Sequence, residues 1–590
     1  MPSVESIPVE LILDNLLMLM PVEDVLRLAC TNKFFATLCN DELLWHRRLD
    51  TDFNFPSAAT ARVSGWKFIY RNLFNPKGPE KSNGRLGLGN KVPKTNLQGS
   101  GVPFPTQIKI TGARIVNIVA GGMSFHALDS QGNLWVWGTL NATTGALNSE
   151  GFAEPGKMTN VPLRLELPTR IKDVSCGRLH ACALDAKAQV WTFTSWGRPF
   201  TLSSAHLLRD SRPVQVECGW NFSSLLTKSG EVFVWWPLSG TMEQRIAAKN
   251  IEMNDARHFA ARALPDGVIP CATWVLEADP ERLPPLPRLP KLTNTGDESG
   301  DDEIKIIKIA AMDERIVALT NQGHVVLFNN LGSEDTLSSG RWTYLPNFSE
   351  LDRVCALPPF SATDGIVATP QTMKITHISA HFLKFFAYST GASSVVLMGD
   401  TDTTNESDPH IEPALQGKDV ISVLVGDWHY AALTGTGRLL TWGGYSAGAL
   451  GLGDPTVLPA GTPGGFAEER QRVHALEQGL GMPPNTRVPT EVRFDHARKT
   501  PKERFCFLAC ASGWQTGALV IDLQPNAEGE DDDEEEELVE QDAPRRRLRG
   551  LPFRSLPMQT PHVAGFPGGG IFRVGFAGRG ATRGGRGRGI

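Results

Sequence analysis

Nine cysteines and thirteen histidines are the side chains of this 590-residue sequence best suited to bind a metal ion or to act as nucleophile and base. Cys506 and Cys510 have CxxxC spacing and Cys176 and Cys182 lie six apart. Neither pair has a second Cys/His pair nearby, so small buried thiols in strands are expected rather than a zinc site. His180 and His429 each follow a glycine by three residues and precede a leucine by four, in Gly177-x-x-His180-x-x-x-Leu184 and Gly426-x-x-His429-x-x-x-Leu433. An imidazole hydrogen-bonded to the backbone of a neighbouring repeat explains such equivalent positions better than catalysis does. The chain has no Ser-His-Asp set, no GxGxxG after a strand and no Walker loop, and its Leu-Gly-Leu-Gly loops lack a following Lys-Ser/Thr. We therefore expect no catalytic residue, no cofactor and no metal.

The remaining chemistry is electrostatic and lies in the C-terminal tail, residues 526–590. Residues 528–542 carry eleven carboxylates, a density that stays solvated. The sign then reverses at Arg545, Arg546, Arg547 and Arg549, and glycine-flanked Arg579, Arg583, Arg586 and Arg588 follow, with Phe566, Phe572 and Phe576 interspersed. Flexible arginines among aromatics bind phosphates and stack on bases, so RNA contact is one expectation. A disordered solubilising tail, or pairing of its basic with its acidic part, is the other. The net charge of -6 averages these two runs and selects no partner.

The elements that must position these residues fall into two kinds. Residues 1–75 are helical in pattern. Val9, Ile12, Leu13, Leu16, Leu17 and Met20 form one apolar stripe between Pro8 and Pro21. Glu23 and Asp24 suit the start of a second helix bearing Val25, Leu26, Leu28 and Ala29, because carboxylates complement the free N–H groups there. Phe34, Phe35 and Leu38 mark a third segment, and Asn40 or Asp41 caps a fourth with Leu44, Trp45 and Leu49. Trp66, Phe68, Tyr70 and Leu73 predict a joining helix.

Residues 76–525 repeat a strand, a glycine, a second strand, a tight turn and a third strand. The clearest copy spans residues 420–454. A nine-residue step from leucine to an aromatic recurs at Leu128 and Trp137, Leu184 and Phe193, Leu226 and Trp235, Leu319 and Phe328, and Leu433 and Trp442. Gln131-Gly132, Ser229-Gly230, Gln322-Gly323 and Thr436-Gly437 mark hairpin turns. The glycine before the second strand is expected to allow a backbone turn that other residues resist. Each unit reads as part of one antiparallel sheet in a radial array of seven. The seventh stops after its first hairpin strand, and the strand needed to complete it before Asn83 is missing, Pro76 and Pro79 standing there instead. Insertions fall near 240–303 and 455–485. The Pro-rich, acidic part of the first, from Asp279 to Glu303, reads as a mobile loop. The second has a helical stripe through Phe466, Val473 and Leu476, and is the first place to seek a target site.

Two resemblances follow. The Gly-x-x-His-x-x-x-Leu units, with Trp442-Gly443 and the loop Leu450-Gly451-Leu452-Gly453-Asp454, resemble the regulator of chromosome condensation repeat, which implies a seven-bladed β-propeller. The order Ile7-Pro8, Glu10, Leu11 to Leu17, Met20-Pro21, Asp24-Val25, Ala29-Cys30, Phe34 or Phe35, and Leu44-Trp45 resembles the F-box. That resemblance implies contact with the Skp adaptor of a cullin-RING ubiquitin ligase through Ile7, Pro8, Leu11, Leu16, Pro21, Val25 and Leu28. The expected fold is mainly β: a small α-helical F-box domain (1–75), a seven-bladed propeller (76–525) and a disordered tail. The expected function is a non-catalytic substrate receptor of an SCF-type ligase that binds the Skp adaptor, and through it cullin, and holds a protein substrate on the propeller. The rival is a propeller scaffold that regulates a small GTPase or binds chromatin, its N-terminal helices serving as packing. Scattered cysteines, the acidic start and the lack of a long apolar run lead us to expect an intracellular protein, cytoplasmic, nuclear or both, outside the membrane.

Overall fold

The computed structural model describes residues 7–74, 87, 93, 95–96, 101–108, 110–140, 151–207, 211–257, 260–296, 303–361, 367–390, 394–496 and 503–523. The N-terminal helices form as their end signals dictate. Val9–Ile12 runs into a π-turn, Leu13–Leu17, and a second helix, Val22–Ala29, starts behind Pro21. Asn32 caps Lys33–Leu38 by accepting from Phe35 N. Asp41, rather than Asn40, caps Glu42–Phe53, its Oδ1 accepting from Leu43 N (2.9 Å) and Leu44 N (3.1 Å). Trp66–Phe74 is the joining helix. Buried Arg48 ties the set together by donating to the carbonyls of Leu17 and Met20 at the end of the first helical segment.

Seven sheets follow around a ring. Blade 1 comprises Ile115–Ala120, Ser124–Asp129, Leu134–Gly138 and Thr159–Glu166; blade 2 comprises Ile171–Cys176, Ala181–Asp185, Val190–Phe193 and Phe200–Ser203. Blade 3 is built on Pro213–Cys218, Ser223–Thr227 and Val232–Trp235. Blade 4 has Ile306–Ala311, Ile316–Thr320, Val325–Phe328 and Trp342–Tyr344, and blade 5 has His377–His381, Lys384–Tyr388 and Val396–Asp400. Blade 6 contains Val420–Val425, His429–Thr434, Leu439–Gly443 and Thr486–Glu491. The nine-residue step has a register meaning. Trp137, Phe193, Trp235, Phe328 and Trp442 each pair with the residue three before the leucine: Phe125, Ala181, Ser223, Ile316 and Tyr430.

The expected seven blades become six of three to five strands and one two-stranded hairpin, Arg504–Ser512 with Gln515–Asp522. The last unit encodes only these two strands, and the segment before Asn83 that was to complete it lies outside the described residues. The hairpin still joins both neighbours. Asp427 N of blade 6 donates to Gly513 O (2.8 Å), and Gln515 Nε2 donates to Gly121 O (2.7 Å) and Ser124 O (2.9 Å) of blade 1. The ring is therefore closed through its inner strands.

Of the segment 279–303 expected to be a mobile loop, the described part up to residue 296 is bonded along the rim of the propeller. Ahead of it Gly240–Arg257 is a helix, and the chain then runs back along the rim. Val268–Pro270 adds a parallel strand to blade 1, Trp274–Glu277 a parallel strand to blade 2, and Glu281–Arg282 an antiparallel one to blade 3. Trp342 Nε1 then donates to Pro284 O (2.8 Å), His324 Nε2 meets Pro290 O (2.7 Å), and Met373 N donates to Asn294 O (3.0 Å). Residues 268–296 thus pass the outer edges of blades 1 to 3, continue along blade 4 and reach the segment that leads into blade 5. Prolines suit that place, since an edge segment can offer carbonyls without needing every N–H.

A second segment covers one end of the central channel. Asn54 takes a left-handed conformation (φ 54°) at the close of the fourth helix, and the chain crosses from there to Arg62. Asn54 Nδ2 donates to Ile171 O of blade 2 (2.9 Å), Lys308 Nζ of blade 4 donates to Ala58 O (2.8 Å), and Ala61 N donates to Ile421 O of blade 6 (2.8 Å). Because these partners lie on inner strands spread around the ring, residues 54–62 strap the channel mouth. Beneath the strap Glu217 is pushed up to about 7 by burial and nearby Asp173, while burial pulls Lys308 down to about 8 and His377 to about 3.

Candidate functional site

The N-terminal helices bury half of their apolar stripe and leave half in solvent. Ile12, Leu13 and Leu17 enter a core that also holds Trp45, Leu49 and Phe53 and continues into Val116, Ile118 and Trp137 of blade 1 and Phe507 of the hairpin. Of the residues expected to meet an adaptor, Ile7, Pro8, Leu11, Leu16 and Pro21 are exposed and Leu28 is half-buried. Val25 has no exposed surface at all and belongs to the core, so it cannot itself touch a partner. Two exposed residues were not among those expected to meet an adaptor: Leu19, at 82%, and Leu26, which was placed on the second helix beside Val25. Both are apolar residues off the buried stripe of an amphipathic segment, which was the available signal. Exposed apolar side chains gathered in twenty residues mark a surface suited to a protein partner.

The channel end opposite the strap is formed by the loops between first and second strands. Here the Arg178 guanidinium sits 3.9 Å from the Trp220 ring centroid, Trp220 stacks on Phe382 at 4.8 Å, and Phe382 meets half-exposed Trp428 edge-on at 6.0 Å. Phe382 has φ 50°, a left-handed conformation that a bulky side chain seldom takes. Burial and adjacent Glu314 push Asp313 up to about 6, and its N–H donates to Phe382 O (2.8 Å).

This mouth also gathers a serine, a histidine and an aspartate. His381 Nε2 lies 3.1 Å from Asp427 Oδ1, 3.2 Å from Ser512 Oγ and 3.2 Å from Gly513 N. All three partners meet the same ring nitrogen. A general base needs the carboxylate on the other nitrogen, so this arrangement fixes a loop rather than activating buried Ser512. His180 and His429 are buried between blades: Nε2 of each bonds a hydroxyl of the next unit, Ser223 Oγ and Thr516 Oγ1, both at 2.9 Å, instead of a backbone group alone. Burial lowers both imidazoles to about 4, so they are neutral struts. Gly177 and Gly426 have negative φ and are required for another reason: a Cβ at Gly426 would lie 2.2 Å from the His429 ring.

Burial pushes Cys506 and Cys510 up to about 12, and among the described residues no group of three or more His, Cys, Asp or Glu could hold a metal ion. In the second insertion, Glu469–Gln478 is helical, but only Phe466 of the expected stripe is buried, packed against Ala475, while Val473 and Leu476 are exposed. Arg579, Arg583, Arg586 and Arg588 lie outside the described residues. Among the described residues no helix is long and apolar enough to cross a membrane.

The F-box-like family profile matches residues 4–50. SCF-associated factor 1 of Saccharomyces cerevisiae is 24% identical over 354 residues, 59% of this chain and 42% of that protein. The mitochondrial RCC1 domain-containing protein RUG3 of Arabidopsis thaliana is 29% identical over 27% of this chain and 36% of its own length. Human E3 ubiquitin-protein ligase HERC2 is 31% identical over 26% of this chain, only 3% of its length. The chain thus spans less than half the length of each of these relatives. The solved structure of Prp20p from Saccharomyces cerevisiae superimposes with a TM-score of 0.44 at 15% identity, covering 79% of this chain and 96% of that one. An F-box-like segment is therefore joined here to a propeller with RCC1-type homologues, and SCF-associated factor 1 is a homologue of the chain.

Proposed function

We infer that this protein is a non-catalytic substrate receptor of an SCF-type cullin-RING ubiquitin ligase. The observation that carries the reading is the F-box-like match at residues 4–50, on helices that leave Leu11, Leu16, Leu19 and Leu26 in solvent. Those side chains dock the Skp adaptor, which brings cullin. The propeller holds a protein target, and the mouth with Trp220, Phe382 and Trp428 supports that role because the strap covers the other one. Ligation is accelerated by holding the target lysine near charged ubiquitin, with no reacting group from this chain.

The test is capture of the purified Skp adaptor by the full chain. Leu16→Asp and Leu19→Asp replace exposed apolar contacts with charge, so each is expected to weaken capture at least tenfold with an unchanged melting curve. Wild-type capture by both variants would overturn the reading. The RCC1-type relatives favour a second reading, a scaffold for a small GTPase or for chromatin. Accelerated nucleotide release from a Ran-type GTPase, with no adaptor capture, would select it.

A further inference from the structure

A cleft of about 460 Å³ opens at the start of blade 1, on the end of the propeller that carries the helices. Arg114, Arg164, Thr111, Ser130, Gln131 and Asn133 line it. Asp129 is in the wall too, but its carboxylate is taken by donors of its own turn. Oδ1 accepts from Gln131 N and Asn133 N (both 2.9 Å), and Oδ2 from Asn133 Nδ2 (2.9 Å) and Trp135 Nε1 (3.1 Å). Arg114 lies 5.0 Å over the Phe53 ring, and its Nε is buried with no hydrogen-bond partner. Among the described residues neither arginine is paired with a carboxylate. Two guanidiniums held at one cleft without direct counter-ions, one with an unmet donor, make a site for carboxylates, which their forked N–H groups match in geometry.

We propose that this cleft binds an acidic peptide segment and that its occupant is residues 528–542 of the same chain. The last strand, Gln515–Asp522, ends at the helical end of the propeller, where Arg504 pairs with Asp522 (2.8 Å) and Phe505 meets Phe68 at 5.2 Å. The hairpin is the ring neighbour of blade 1, through Gln515 and Gly121. Glu528 lies five positions beyond Leu523, and Asp542 nineteen. An extended chain covers roughly 3.4 Å per residue, so the acidic run can start about 17 Å from the hairpin and extend past 60 Å. Eleven carboxylates tethered at this distance act at an effective concentration on the order of millimolar, which a free acidic peptide seldom reaches. The docked run bridges blade 1 to the helical domain beside Phe53.

The probe is a fluorescein-labelled synthetic peptide of residues 528–542, titrated by anisotropy onto the full chain. A second full-length chain has the eleven acids of that run changed to their amides, which empties the cleft. The peptide is expected to bind the emptied chain at least tenfold more tightly than wild type, whose own run competes. Arg164→Gln in the emptied chain is expected to weaken binding at least tenfold, as is raising salt from 50 to 300 mM. Arg114→Gln should act likewise, but it also removes the Phe53 contact, so Arg164→Gln carries the test. Equal binding by wild-type and emptied chains would overturn self-occupancy. An unaffected Arg164→Gln variant would overturn the site. Binding of a phosphorylated, otherwise neutral peptide in place of the acidic one would overturn the proposed occupant.

Discussion

Phe55→Ala tests whether the helical domain and the propeller are one cooperative body. Phe55 lies in the strap with 1% of its surface exposed, between Trp66 of the joining helix (6.1 Å) and Phe507 of the hairpin (6.3 Å). Truncating a buried phenylalanine removes its transfer energy and leaves a cavity, together about 3–5 kcal/mol. Here the cavity opens in a core shared by both parts, so the loss falls on their union. Phe348→Ala is the matched control, equally buried but packed against Phe385 in the core of blades 4 and 5. Urea denaturation followed by tryptophan fluorescence gives the loss, and hydrogen exchange gives its location. Phe55→Ala should expose amides of the helices Glu42–Phe53 and Trp66–Phe74 at lower urea than the blades. Phe348→Ala should leave that order unchanged. A loss below about 1 kcal/mol for Phe55→Ala, or the same exchange pattern in both variants, would refute the shared core.

Two further outcomes follow from buried groups. Glu217 binds a proton more tightly folded than unfolded, so its contribution to stability should fall as pH rises from 4.5 to about 7; Lys308, lowered from 10.5 to about 8, should contribute stability that rises between those two values. Buried His180, His377 and His429, lowered to about 4 or below, act in the opposite sense below pH 6.5, so the Glu217 limb, at most about 3.4 kcal/mol, is read as the difference between wild type and Glu217→Gln in urea midpoints measured from pH 4.5 to 8. An unchanged limb in that variant would refute the assignment. Gly426→Ala should destabilise by ~1–3 kcal/mol through overlap with the His429 ring, and His429→Ala should relieve part of that cost, giving a non-additive cycle in thermal melts. Strict additivity would mean that the imidazole is not what excludes the side chain.

The repeat was legible because its signal is local. A leucine, a turn of fixed length and an aromatic nine residues on specify one hairpin register, and every copy restates it. The strands that finish the blades have no such signal. Val268–Pro270 and Trp274–Glu277 join sheets whose other strands lie about a hundred residues earlier, and a short parallel edge strand has no turn to announce it. The prolines at 284 and 290 argued for a loop because a ladder loses their N–H groups; on an edge only their carbonyls are used. The glycine that recurs before the second strand was placed correctly and explained wrongly, since a crowded imidazole, as at Gly426, and a positive φ both demand glycine and leave the same letter in the sequence. The exposed apolar face of the N-terminal helices was half legible for a related reason. Periodicity tells which residues share a stripe, but Ile12 and Leu16 share one and only Ile12 is buried, because the blade 1 core reaches part of the helix.

The strap makes the two ends of the propeller inequivalent. At one end Asn54, Ala58 and Ala61 are tied to blades 2, 4 and 6, so a macromolecule cannot enter the channel there without breaking contacts spread around the ring. At the other, Trp428 and its aromatic neighbours remain open. The same nine residues continue directly into the helical domain, so the exposed leucines and the open mouth are held at a fixed separation by a shared core rather than by a linker. A receptor that works by proximity gains most from such stiffness. The effective concentration of a tethered target falls steeply as the connection lengthens and loosens, whereas a rigid body keeps it at the value its geometry sets. On the receptor reading proposed above, loosening the strap should therefore lower ubiquitin transfer to a propeller-bound protein even where adaptor capture is unchanged.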